Sequence, residues 1–342
     1  MDKILSVIIP CYNSKDFLEK CLGSLVCEEI MDKLEVVLVN DGSTDGGEKI
    51  GESFAEKYPG TFRVLNKKNG GHGSAINAGA EIVSGKYMKV LDADDWFNTE
   101  SLPDFVNALE NATADVVLTF HHTVDISTGE IKCWRNFPDE FGKEYDMTYA
   151  LEDWKRFDRS LTFHGITYRT DFYKEKGIKL SEGVFYEDHE YATFPCCYAK
   201  TILPLNLFVY EYRVGDVSQS VSSSNQVKRI SHTIKVIRNM MGERDTLSDT
   251  VAKSYADKKT HLLLLSFLVT SLLCDKDRTR GYARARKMMQ IVENKNSVVY
   301  NMTLNHYKIL KGMNVFGINY QQYQKILHSK AYNYLRGNKD FE

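Results

Sequence analysis

The sequence predicts an α/β protein, a mainly parallel sheet with flanking helices, followed by an all-α domain at the carboxyl-terminal end. Three observations carry this expectation. Short β-branched runs alternate with helical segments through the first 120 residues, those runs show no polar alternation, and from Gln226 onward apolar residues recur at helical spacing without a single proline. Strict alternation of strand and helix is the pattern of a parallel sheet with helices on its faces, and strands apolar throughout are strands buried on both sides.

Taken in order, strands are expected at Ile4 to Ile9, Leu34 to Val39, Phe62 to Leu65, Tyr87 to Leu91 and Asp115 to Phe120. Between them fall helices near Lys15 to Cys27, Asp45 to Lys57, Ser74 to Val83 and Leu102 to Asn111. The rhythm breaks after Phe120. Residues 121 to 222 mix aromatic and polar side chains, with periodic stretches at Asp188 to Ala199 and Thr201 to Val209, and are expected to form an irregular half built against the first sheet. Gly215 to Asn225, rich in Ser, reads as a mobile loop. Beyond it, Val227 to Met241, Val251 to Leu273 and Tyr282 to Val292 have the period of amphipathic helices, and four to six helices are expected. The run His261 to Val269 is apolar on all sides, which suits the core of that domain or an interface between subunits. The expected domains are therefore 1–222, with halves 1–120 and 121–222, and 223–342.

Composition narrows the function. The 342 residues are 43% hydrophobic and 26% charged, so disordered and fibrous classes are excluded. A formal net charge of −2 argues against nucleic acid as the main partner. Seven cysteines without a C-x-x-C pair suggest neither a disulfide framework nor a zinc site, and fit a reduced, cytoplasmic setting. Met1 to Ser6 enters a strand directly, with no charged and apolar leader, and the longest apolar run, Leu262 to Cys274, falls short of the roughly 20 residues a spanning helix needs. A soluble protein is expected, and association with the inner face of a membrane is compatible with it.

Chemistry is written most directly in Val90 to Trp96, where an apolar run ends in Asp92, Asp94 and Asp95. Carboxylates placed where a buried strand runs out lie at the edge where open α/β sheets bind ligands, and they suit Mg²⁺ or Mn²⁺ carrying a diphosphate. The same residues are also common turn and cap formers. Three more loops are expected at that edge. In Pro10-Cys11-Tyr12-Asn13 a proline and an aromatic offer a shelf for a base, and in Asn40-Asp41-Gly42-Ser43-Thr44-Asp45 an Asp can accept from an imide N–H, although Asn-Asp-Gly-Ser is equally good turn chemistry. In Asn69-Gly70-Gly71-His72-Gly73-Ser74 the glycines let backbone N–H groups approach a phosphate at a helix start.

Together, Val7 to Asn13, Val39 to Asp45, Asn69 to Gly79 and Leu91 to Trp96 resemble, in order and spacing, the family 2 glycosyltransferases. The resemblance implies a GT-A fold, a nucleotide-sugar donor (usually a UDP-sugar), a divalent cation and inversion at the anomeric carbon. By that likeness Pro10, Tyr12 and Asn13 border the nucleotide, Asp41 binds the base, and Asn69, Gly71, His72 and Asn77 line the donor. Asp92 and Ala93 face the ribose or sugar, and Asp94, with Asp92, binds the metal. Relatives often carry Arg where this chain has Ile76, so Lys67, Lys68 and His72 are candidates to replace it.

Transfer also requires a base for the acceptor hydroxyl. Relatives carry an acidic pair like that in Phe185-Tyr186-Glu187-Asp188-His189-Glu190, which makes Asp188 the expected base, Glu187 the second choice and His189 a weaker one. Glu187 and Asp188 also suit a helix start. Arg213 resembles the basic residue that many relatives place before a Ser-rich loop, and is expected at the leaving diphosphate, although Glu211 or Asp216 could simply pair with it. His164 is a candidate acceptor contact, although a satisfied core histidine is the commoner role, and Trp96, Trp134, Phe137, Tyr145, Tyr149 and Trp154 could stack on sugars or merely pack.

The reading is an inverting, metal-dependent transferase acting on a glycan, lipid-linked or glycoprotein acceptor in bacterial surface glycan assembly, with a homo-oligomer through the carboxyl-terminal helices possible in principle. Two competing classes are a nucleotidyltransferase and a non-catalytic nucleotide-sugar-binding assembly subunit.

Overall fold

A computed structural model describes residues 3–135, 147–150, 153, 161–216 and 223–327. The first strands and helices follow the sequence pattern closely: β1 (Leu5–Cys11), α1 (Lys15–Gly23), β2 (Leu34–Asn40), α2 (Glu48–Lys57), β3 (Phe62–Asn66), α3 (His72–Ile82), β4 (Tyr87–Val90), β5 (Trp96–Phe97), α4 (Leu102–Asn111) and β6 (Val116–Asp125). Then come β7 (Ile131–Trp134), β8 (Tyr149–Ala150), β9 (Ile166–Arg169), α5 (Thr170–Glu175), α6 (Asp188–Tyr191), α7 (Phe194–Tyr198) and β10 (Thr201–Val214). The strands β1, β2 and β4 are buried at every position, as unbroken Val/Ile/Leu runs require of strands covered on both faces.

The sheet runs in the order β3-β2-β1-β4-β9-β6-β10-β5, with β7 beside β6 and β8 beside β10. Pairing is parallel from β3 through β4 and between β6 and β10, while β9 lies antiparallel between β4 and β6. The expected helix from Asp188 to Ala199 is two short helices, because Pro195 at the start of α7 brings no N–H and sterically excludes a continuous helix through Thr193. The expected strand end at Val209 moves to Val214, carried past Pro204 by register shifts against β6.

The chain divides into two compact units, Met1–Val217 with Leu247–Tyr255, and Ser218–Thr246 with Ala256–Glu342. Hydrogen bonds from the Tyr255 hydroxyl to the Ala192 carbonyl (2.7 Å) and from Cys197 Sγ to the Ala252 carbonyl (3.8 Å) hold the 247–255 segment in the first unit. The helices from 223 on are α8 (Ser223–Lys228), α9 (Ile230–Thr246), α10 (Thr250–Val269), α11 (Arg278–Lys295), α12 (Ser297–Val315) and α13 (Tyr320–Leu327). A π-helical turn, Thr270–Cys274, follows α10. The last residues of the expected Ser-rich loop thus open α8, while 217–222 lie outside the described residues, as do Phe137, Tyr145 and Trp154. Within the apolar run of α10, Leu263, Leu264, Phe267 and Leu268 are buried and Ser266 is exposed. No helix among the described residues is long and apolar enough to cross a membrane.

Candidate active site

Parallel pairing of β1 with β2 and β4 brings three strand ends, and with them the loops after β1, β2 and β4, to one edge of the sheet. The first two loops are stitched together. Asn13, in the left-handed region at φ 52, donates its N–H to Ser43 Oγ (3.1 Å) and accepts the Thr44 N–H (2.8 Å) on its side-chain oxygen. Tyr12 is left 53% exposed, a free aromatic face beside Pro10. Asp41 is buried and takes three donors, Lys67 Nζ at 2.6 Å, the Gly71 N–H at 2.8 Å and the Gly70 N–H at 3.0 Å. The loop before α3 is therefore wrapped around Asp41, and Lys67, a candidate for the diphosphate, serves as its counter-charge. Gly71 needs its glycine: φ is +88, and an added Cβ would stand 3.1 Å from the Gly183 nitrogen. Asn69 is exposed at the rim.

Two expected donor residues turn elsewhere. Asn77 is buried, with its amide spent on the Leu180 N–H (2.9 Å) and carbonyl (3.0 Å), so it pins the segment leading to Glu187. Ile76 is fully buried, which takes the position of the missing Arg into the core.

His72, the first residue of α3, stands between two carboxylates: Nδ1 is 2.6 Å from Glu187 Oε1 and Nε2 is 2.9 Å from Asp92 Oδ1. Burial alone would lower the imidazole pKa, but Asp92 and Glu187 hold it well above the ordinary value, which favours the cationic ring. It draws the Asp92 carboxyl below its usual range against the opposing effect of burial. The expected second-choice base, Glu187, is thus engaged, buried and facing His72, while Asp188 is half-buried at the start of α6.

Asp94 and Asp95 diverge. Asp95 is buried and accepts the Tyr210 hydroxyl (2.6 Å) and the Arg213 N–H (2.7 Å). Burial, then Asp92 and Asp94, push its pKa well up. Asp94 is more open, raised by burial and by Asp92, with the Arg213 guanidinium 4.0 Å away. Arg213 also pairs with Asp216 at 3.1 Å and lies 4.5 Å above the Phe17 ring. A set of carboxylates with raised pKa values is short of positive charge, and its hard oxygens suit Mg²⁺ or Mn²⁺. Among the described residues, the group whose ligand atoms lie within 4.8 Å of one another is Asp92, Asp95 and His164, with Asp94 outside it. Ala93 is buried within the turn.

Sequence reasoning missed Tyr210 and Tyr212. Burial raises the Tyr212 hydroxyl pKa, and the charges of Asp95, Asp92, Asp188 and Asp94 add to it. Tyr210 and Tyr212 share one face of β10 by the alternation of a strand, a period-2 signal visible in Tyr210-Glu211-Tyr212. Of the aromatics expected to stack on sugars, Tyr149 is buried, Trp96 lies under Lys20 Nζ (2.9 Å), and Trp134 is 43% exposed on β7.

The profile described as Glycosyl transferase family 2 matches residues 6–173. The chain is also 30% identical over 248 residues to an uncharacterised glycosyltransferase of Mycoplasma pneumoniae, covering 69% of this chain and 77% of that protein. The chain belongs to glycosyl transferase family 2. Among solved structures, this family 2 chain is similar to residues 1–349 of Staphylococcus aureus TarS, solved in complex with UDP-GlcNAc, with a TM-score of 0.65, 20% identity and 93% coverage of each chain. It is similar also to the mannosyltransferase PcManGT of Pyrobaculum calidifontis, solved with GDP-Man and Mn²⁺, with a TM-score of 0.54, 16% identity, and coverage of 96% of this chain and 88% of that one. At these identities the two structures bear on the fold, which is the GT-A glycosyltransferase fold.

Proposed function

We propose that this family 2 glycosyltransferase moves a sugar from a UDP-sugar to an acceptor hydroxyl with inversion, using a divalent cation. The observation that carries the reading is the meeting of Asp92, Asp94 and Asp95 with Arg213 on one side and with His164 and Tyr212, which sense Asp188, on the other. That TarS was solved with UDP-GlcNAc and PcManGT with Mn²⁺ supports the donor class and the cofactor.

In this reading the nucleotide base lies on Tyr12 and Pro10 beside Asn13, with Asp41 accepting its imide N–H through remaining lone-pair capacity. Asn69, Gly71 and His72 border the diphosphate and sugar, Asn77 holds the wall behind them, and Asp92 with Ala93 faces the ribose. Asp94, with Asp92, would hold Mn²⁺ or Mg²⁺, which when bound offsets the negative charge developing on the diphosphate by several kcal/mol. Arg213 adds a second positive charge at the leaving group. Asp188 takes the acceptor proton as the oxygen attacks the anomeric carbon from the face opposite the diphosphate. A carboxylate in that role contributes about 10²- to 10⁴-fold.

We assign the acceptor to the glycan, lipid-linked or glycoprotein class of bacterial surface assembly, with the enzyme on the cytoplasmic side, working at the membrane surface or paired through its carboxyl-terminal helices. The test is turnover of UDP-GlcNAc, UDP-Glc and UDP-Gal with and without EDTA. Asp188→Asn is expected to bind donor normally and to lose about 10²- to 10⁴-fold in kcat. Wild-type protein that binds a UDP-sugar but neither transfers nor hydrolyses it would make the chain a binding subunit instead.

A further inference from the structure

Lys89 is fully buried in β4, between β1 and β9, three residues before Asp92. Among the described residues no carboxylate pairs with it. Its Nζ instead donates to two main-chain carbonyls of one turn, His164 at 2.6 Å and Ile166 at 3.2 Å, and lies 5.6 Å from the centre of the Tyr210 ring. Burial pulls its pKa down to about 7.

Strand pairing and turn closure do not call for a lysine there. The strand is paired by its backbone to β1 and β9, the turn at Phe163–Gly165 closes its own bond from the Gly165 N–H to the Thr162 carbonyl (3.1 Å), and an apolar chain of the same length would avoid desolvating an amine. What the ammonium adds is a fixed orientation for the peptide groups that follow His164 and Ile166, and so for the His164 ring. That ring is held 4.1 Å from Tyr212, 4.9 Å from His121 and 5.0 Å from Tyr210, centre to centre. A ring nitrogen lies within 4.8 Å of carboxylate oxygens of Asp92 and Asp95. Among the described residues its Nδ1, which is buried, has no hydrogen-bond partner. A buried polar atom left unpaired at a reaction centre marks a place where substrate completes the bonding.

We infer that Lys89 is a positioning residue for sugar transfer: it fixes the Thr162–Ile166 turn so that His164 presents its free ring nitrogen to a hydroxyl of a sugar substrate. The inference rests on the glycosyltransferase reading for its substrate class, and on the geometry of the resting protein for the Lys89 to His164 link.

The link is tested without turnover. In protein carrying ¹³C-labelled histidine, the His164 ring resonance, assigned by its loss in His164→Ala, is expected to move or broaden in Lys89→Met. An unchanged resonance overturns the inference. In activity assays on folded protein, Lys89→Met should keep the donor KM within about twofold while kcat falls about 10- to 100-fold, the scale expected of a misplaced contact. The double variant Lys89→Met/His164→Ala should fall no further than His164→Ala alone. Additive losses, or lower stability with kcat per folded molecule unchanged, reduce Lys89 to a structural residue and overturn the proposal. Hydrolysis of UDP-GlcNAc against transfer to p-nitrophenyl glycosides shows which sugar is read. Loss of both points to the transferred sugar and loss of transfer alone to the acceptor, and each supports the role of His164. Wild-type protein without turnover of any nucleotide sugar would sink the transferase reading while leaving the resonance result to judge the Lys89 link.

Discussion

At the scale of single residues, His72 shows how one side chain joins distant parts of the chain, Asp92 lying 20 residues on and Glu187 115 residues on. Its two nitrogens hold Asp92 and Glu187, and through Glu187 the start of α6. Because its folded pKa is raised, the stability it contributes is fully present below the unfolded value near 6.5 and is lost as pH rises through the folded value. In EDTA, the difference in unfolding free energy between wild type and His72→Asn is expected to be about 1–2 kcal/mol at pH 5.5, reduced from that of a fully buried charged pair by partial exposure, and to shrink as pH rises past neutrality. Denaturant titration at several pH values checks this. A difference that grows with pH would show the ring to be neutral in the fold.

Elements impose constraints that residue types alone do not reveal. Gly281 lies inside α11, where alanine ordinarily stabilises a helix by about 1 kcal/mol. Here an added Cβ would collide with the Ser271 carbonyl oxygen of the π-helical turn, a backbone atom that cannot swing aside. Gly281→Ala is therefore expected to destabilise by about 1–3 kcal/mol, the overpacking cost outweighing propensity, as measured by urea unfolding followed by circular dichroism. Gly71→Ala meets both a positive φ and the approach of Gly183, and should loosen the loop around Asp41. Its signature is a several-fold weaker Kd for UDP in calorimetry, with the fold retained. The β10 strand makes the same point. Its register shifts between Pro204 and Tyr210 decide that Tyr210 reaches Asp95 and that the Arg213 N–H caps the same carboxylate.

For the whole molecule, the clustered carboxylates tie stability to ligands. Burial and mutual repulsion raise Asp94 and Asp95, and a cation bound beside them would relieve that repulsion. Ligand bound at 100 times its Kd adds about 2.7 kcal/mol. Mn²⁺ with UDP is expected to raise the melting temperature by several degrees, EDTA to reverse the gain, and Asp94→Asn to remove most of it. A melting temperature indifferent to Mn²⁺ and UDP, alone or together, would count against a cation at these residues.

Much of this architecture is legible in the sequence. Alternating apolar runs and helical periods announced the α/β sheet, because strand and helix periodicities are local, and in a parallel sheet the loops after successive strands share one edge. That placed Pro10, Asp41, Gly71 and Asp92 near one another from order alone. Local pattern could not show β9 slipping antiparallel between β4 and β6, since a four-residue strand carries too little periodicity to name its partners. It could not show Asn77 turned to Leu180, Lys67 spent on Asp41, or Lys89 reaching the turn that bears His164. Each of these is a pairing between distant segments, and a buried polar group takes whatever partner the packed chain brings within about 3 Å, a choice made only when the whole core closes.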